Sequence, residues 1–120
     1  MSTVNFHEAM VELLERCPDA AGAAVVDPDG IPVVVEPRDG SLEGLIAELA
    51  SVVKSLDQAG REFEHGQLRQ LSVFSDRKVV ILTTIAAGYF LMLTVGRDGL
   101  AGKARLLSRL MSERLYTEFV

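Results

Sequence analysis

Gly22-Ala-Ala-Val-Val-Asp-Pro-Asp-Gly-Ile-Pro-Val-Val-Val35 joins two short apolar runs through the turn Asp27-Pro28-Asp29-Gly30. Proline at Pro28 presets the backbone for the second position of a turn, and Gly30 can take the positive φ that closes a bulged hairpin loop. The stretch reads as a β-hairpin, with a first strand near Gly22–Val26 and a second near Ile31–Glu36. Because Pro32 has no N–H to give to a β-ladder, the second strand belongs at the edge of a sheet.

Upstream of the hairpin, Asn5 and Glu8 have capping-box spacing, and Phe6, Met10, Leu13, Leu14 and Cys17 recur at helical intervals as far as Pro18. Downstream, Pro37-Arg38-Asp39-Gly40 is a polar turn and Ser41 is placed to cap a second helix. In that helix Leu42, Leu45, Ile46, Leu49, Val52, Val53 and Leu56 share one face at a period of 3.6. Burying this stripe would contribute on the order of 10 kcal/mol before conformational entropy is charged against it. The opposite face carries Gly44, Glu48, Ser51 and Ser55. A polar back face is the ordinary solvated side of an amphipathic helix, but its small residues also suit a packing surface for a second chain. Both readings stay open on these residues.

From Gln67 to Phe74 apolar and polar residues alternate imperfectly, as in a strand with a bulge or one wet face, and Ser75-Asp76-Arg77-Lys78 turns the chain. Val79 to Gly96 then carries no charge and is almost long enough to cross a bilayer as a helix. Its β-branched and aromatic residues lie on both sides of Ala87-Gly88, which makes it a hairpin of two buried strands, Val79–Ala86 and Tyr89–Val95, rather than a membrane span. Strands apolar at nearly every position are central ones. Gly96 to Gly99 breaks the pattern, Asp98 is placed to cap, and Leu100, Ala104, Leu107, Met111 and Leu115 form a last amphipathic helix. The whole order is helix, strand, strand, helix, strand, strand, strand, helix. It predicts an α+β fold, one domain over residues 1–120, with a five-stranded antiparallel sheet and helices on both faces.

Composition agrees with a single core: the chain has 120 residues, of which 48% are hydrophobic. Twelve basic side chains against 17 acidic ones give a net charge of −5, which argues against nucleic acid as a partner. Cys17 is the sole cysteine and cannot form an internal disulfide, and Met1-Ser2-Thr3-Val4 lacks a basic region followed by an apolar core. A cytoplasmic protein without membrane insertion is expected.

The candidate chemical motifs fail one by one. A calcium loop starting at Asp27 needs a carboxylate at its twelfth position, where Arg38 stands. Gly96 to Lys103 ends in Gly-Lys between a strand and a helix, but Arg97 replaces the first glycine of a phosphate loop and Ala104 its magnesium hydroxyl. His7 and His65 lack partners at metal-ligand spacing, and Cys17 ends an apolar stripe as a small hydrophobe. No serine sits in a nucleophile elbow, and Lys103, Arg105, Arg109 and Arg114 read as a solvated basic strip. No catalytic, cofactor or metal residue is proposed, and the chain is expected not to be an enzyme.

Four features in this order resemble the Roadblock, or dynein light-chain, family in its bacterial, MglB-like branch. They are Gly22 to Gly30, the helix Leu42–Leu56, the uncharged hairpin Val79–Val95, and a final helix after a glycine-containing cap, and they cover almost the whole chain. One departure is Asp98-Gly99-Leu100 with Gly102, in place of an Asn-Leu-Gly-like helix start. The resemblance implies a profilin- or longin-like α/β/α sandwich of strand order 2-1-5-4-3, with the middle helix on one face and the terminal helices on the other. It also implies a homodimer joined along strand three, with the middle helices side by side, acting as a non-catalytic platform for a Ras-like small GTPase. An unpaired strand three would be an aggregation liability, so pairing with a second copy is physically sensible. On that basis Gly44, Ala47, Glu48, Ser51, Lys54 and Ser55 are the expected partner surface, and Arg69, Leu71 and Val73 the expected dimer edge. Two other classes compete: an adaptor that touches no GTPase, and a sensory module holding a small molecule between sheet and helix. The strands offer the latter few polar groups beyond Thr83, Thr84 and Thr94, and it requires a cavity of roughly several hundred Å³.

Overall fold

The computed structural model describes residues 5–96 and 100–119. Along the chain lie α1 (Phe6–Arg16), β1 (Ala20–Val26), β2 (Pro32–Glu36), α2 (Glu43–Glu62), β3 (Gln70–Phe74), β4 (Lys78–Ala86), β5 (Tyr89–Gly96) and α3 (Ala101–Tyr116), followed by a 3-10 turn at Thr117–Phe119. The strands form one antiparallel sheet in the order β2-β1-β5-β4-β3. This is the expected order, and the uncharged run forms the β4–β5 hairpin at its centre. No helix among the described residues is long and apolar enough to cross a membrane.

Local chemistry accounts for most of these elements. The Glu8 N–H donates to Asn5 Oδ1 at 3.1 Å, which caps α1. In the β1–β2 turn Asp27 Oδ1 accepts from the N–H groups of Asp29 and Ile31 at 2.8 and 2.9 Å, and Gly30 has φ +84°. The aspartate is therefore a turn former, as the failed calcium motif suggested. The β4–β5 turn places Ala87 and Gly88 at φ +53° and +86°, the signs a two-residue primed hairpin requires.

The sheet separates two cores with a period of two. Ala23, Val25, Ile81, Leu91, Leu93 and Val95 face α1 and α3, where they meet Met10, Leu13, Met111 and Leu115. Ala24, Val26, Val80, Leu82, Phe90 and Met92 face α2. Cys17 is buried on the α1 side, and burial pushes its thiol up from the ordinary value, as befits a core hydrophobe. Phe119 stacks on Phe6 at a centroid distance of 6.1 Å and packs tilted against Tyr89 at 4.6 Å, and Arg114 Nη1 donates to Glu12 Oε2 at 2.7 Å. The terminal segments are thereby tied to one another over one face of the sheet.

Four expectations are corrected. Ser41 does not cap α2: its own N–H donates to Asp39 Oδ1 at 2.9 Å, and the helix begins after Leu42 with no side-chain cap. This local turn draws Ser41 away from the helix start, and its hydrogen bonds hold the Asp39 carboxyl below its usual range. The α2 helix extends beyond Leu56 to Glu62, and β3 starts at Gln70 rather than Gln67 because Leu68 is held by Asp57, whose Oδ1 accepts its N–H at 2.8 Å. The seven-residue stripe of α2 is not buried as a whole: Ile46 and Val53 are, while Leu45, Val52 and Leu56 stay exposed. The expected Asp98 cap lies outside the described residues; α3 starts after Leu100, again with no side-chain cap.

Candidate partner surface and an adjoining groove

Helix α2 advances about 100° per residue, so burial along it can be compared with its apolar stripe. Ile46 and Val53 point at the sheet, flanked on one side by half-buried Leu49 and on the other by half-buried Ala50 and Asp57. The buried seam thus runs along one margin of the apolar stripe. The other margin, Leu45, Val52 and Leu56, remains 39–43% exposed. Gly30 fixes this rotation, since a Cβ there would lie 3.0 Å from Ala50 Cβ, and the β1–β2 turn is pressed against that flank of the helix.

All six residues of the expected partner surface are exposed. Gly44, Glu48, Ser51 and Ser55 follow the outward ridge of α2, opposite Ile46 and Val53. Ala47 and Lys54 lie on the flank beside the β1–β2 turn, where Ala47 Cα is 4.0 Å from a Cβ built at Gly30. At the expected dimer edge, Leu71 and Val73 are half-buried against the α2 core, and Arg69 is exposed just before β3. Strand β3 pairs with β4 alone among the described residues, so its outer backbone edge is open. Gln70 anchors the strand from the other face, donating to Thr83 Oγ1 and to the Arg105 carbonyl, both at 3.0 Å.

Sequence reasoning missed the exposed apolar margin of α2, with Phe63 and Phe74, which are 69% and 67% exposed. Periodicity shows only that these side chains share one side of the helix, not which margin of the stripe meets the sheet.

A groove of about 580 Å³ beside the C-terminal half of α2 reaches the size that the small-molecule reading requires, at a place the residues did not indicate. The β1–β2 turn, α2, the segment before β3, the β4–β5 turn and Tyr116 of α3 all line it. Of Thr83, Thr84 and Thr94, Thr84 alone lines this groove, and its hydroxyl donates to the Leu68 carbonyl at 2.8 Å. The polar groups come instead from Asp29, Lys54, Asp57, Arg61, Gln67 and Arg69. Asp57 organises this corner: it accepts from the Leu68 N–H and, at 2.9 Å, from Arg61 Nε. The Leu68 hydrogen bond first, then Arg61, holds its carboxyl below the usual range. No group of three potential metal ligands occurs among the described residues.

The Roadblock/LC7 domain model matches residues 6–96. Among solved structures, the Roadblock/LC7 domain from Streptomyces avermitilis superposes with a TM-score of 0.87 at 21% identity, covering 97% of this chain and 98% of that one. MglB from Myxococcus xanthus gives 0.85 at 13% identity, covering 99% and 98%. Profilin from Schizosaccharomyces pombe gives 0.70 at 13% identity, covering 97% and 100%, which extends the likeness to the profilin fold. No curated protein sequence matches significantly.

Proposed function

Because the chain belongs to the Roadblock/LC7 family, MglB-like in structure, we propose that it is a non-catalytic, homodimeric scaffold that binds a Ras-like small GTPase and modulates its cycle. The observation that carries this reading is α2, which keeps an apolar margin and a polar ridge free while lying next to an open sheet edge. Two copies joined along β3, through the strand that carries Leu71 and Val73 and starts after Arg69, would bring the apolar margins of both α2 helices together. That arrangement covers Leu45, Val52 and Leu56, removes the open edge, and leaves one continuous surface for a partner. On it Gly44, Ala47, Glu48, Ser51, Lys54 and Ser55 form the GTPase-facing ridge.

Light scattering at micromolar concentration is expected to give twice the chain mass; a stable monomer at that concentration removes the dimer. Capture of a Ras-like GTPase from the native cell is expected with the unmodified chain and lost with Ser51→Arg at unchanged mass. Unchanged capture removes this ridge from the interface. Stable capture of other proteins with no GTPase among them favours an adaptor role instead.

A further inference from the structure

We propose that the groove beside the C-terminal half of α2 is a binding site for a small organic anion, a carboxylate or phosphate carried on a planar apolar body. At about 580 Å³ it falls within the roughly 300–1,000 Å³ typical of small-molecule sites. Its charges do not cancel. Asp57 is already engaged on both oxygens by the Leu68 N–H and Arg61, whereas Lys54 and Arg69 have no ion-pair partner among the described residues. Asp29 of the β1–β2 turn lines the groove too, so three cations face two carboxylates and the lining keeps one net positive charge, which in a chain of net charge −5 favours an anion. Phe90 and Tyr89 supply apolar wall, and Tyr116, 47% exposed, offers a ring face on which a planar body can stack.

The walls are set before any ligand arrives. Gly88 has φ +86°, and a Cβ there would lie 2.9 Å from Pro28 Cγ, so the β4–β5 turn is seated directly on the β1–β2 turn. The β1–β2 turn is in turn seated on α2 at Gly30 and Ala50. Asp57 ties α2 to the segment before β3. A site whose three sides are locked this way loses little entropy on binding. The assignment stands without the GTPase reading, although Lys54 belongs also to the proposed partner ridge and Arg69 to the proposed dimer edge, so occupancy of the groove would be reported to both.

The test is an amide-resolved NMR titration of the full chain with AMP, with 2-naphthoate and with inorganic phosphate. At least one organic anion is expected to shift the amides of Lys54, Thr84 and Gly88 and to saturate with a Kd below about 1 mM. Lys54→Glu and Arg69→Gln are each expected to weaken it about tenfold or more while the spectrum keeps its dispersion. Saturation by AMP alone assigns a phosphate source, and saturation by naphthoate alone a carboxylate source. The proposal is overturned if neither organic anion shifts these amides, if inorganic phosphate does so equally well, or if both folded variants bind as the parent does.

Discussion

On one face of the sheet α1 and α3 bury Ala9, Met10, Leu13, Ala104, Met111 and Leu115, and a cross-helix bond from Arg114 to Glu12 ties them together. On the other face α2, the longest helix, buries Ile46 and Val53 alone of its 20 residues. The first face is closed by the chain itself. The second is held at a few points and keeps apolar and polar surface in reserve, which is where a monomer stores its capacity to associate. If the proposed function holds, stability and partner binding lie on opposite faces of one sheet, and substitutions should separate them.

The largest separation is expected from Leu115→Ala on the closed face. Removing a fully buried leucine leaves a cavity and should cost about 2–5 kcal/mol in urea unfolding. A loss below that range would show that the closed face repacks and that the contrast is shallower than the burial suggests. Next comes Asp57→Ala on the open face, which removes the acceptor of two hydrogen bonds and should cost about 1.5 kcal/mol at neutral pH. The folded-state carboxyl titrates below its unfolded value of 3.8. Its stabilisation is therefore fully present above that unfolded value and is lost as pH falls through the lower folded value. Unfolding curves of parent and variant should accordingly converge in acid; a gap that stays constant as pH falls through the acid range would deny the carboxylate its role. Ile46→Val, at the seam that seats α2, should cost only about 0.5–1.5 kcal/mol. The smallest effect on folding belongs to Val52→Ser, within about 0.5 kcal/mol for the monomer because the side chain is exposed. The same substitution should lower the self-association constant in sedimentation equilibrium, and an unaltered constant would remove the apolar margin from the dimer interface.

How much of this was legible in the residues depends on how far apart the interacting groups stand in the chain. The β1–β2 turn was readable because Asp27, Pro28 and Gly30 settle it among themselves, and Asn5 likewise caps α1 through its third neighbour. Pro32 placed β2 at an edge for lack of a single hydrogen atom. The partial misreading of α2 has a different origin. Periodicity shows that Leu45, Ile46, Val52, Val53 and Leu56 lie on one side of a helix, but burial depends on how the helix is rolled against its neighbours. That roll is imposed by contact between Ala50 and the β1–β2 turn, about 20 residues away in the chain. Ser41 failed as a cap for a local reason: Asp39 competes for its N–H.

From the sequence by itself came the helices and strands, the edge position of β2, the two-faced sheet and the family resemblance, because turn chemistry and hydrophobic period act between near neighbours. Only the tertiary structure decided which margin of α2 stays uncovered and that Lys54, Arg69 and Tyr116 converge on one groove. Those residues come from three separate segments, and no periodicity connects them. Their meeting is set by the packing of whole elements, through the same contacts at Gly30, Gly88 and Asp57 that hold α2 against the sheet.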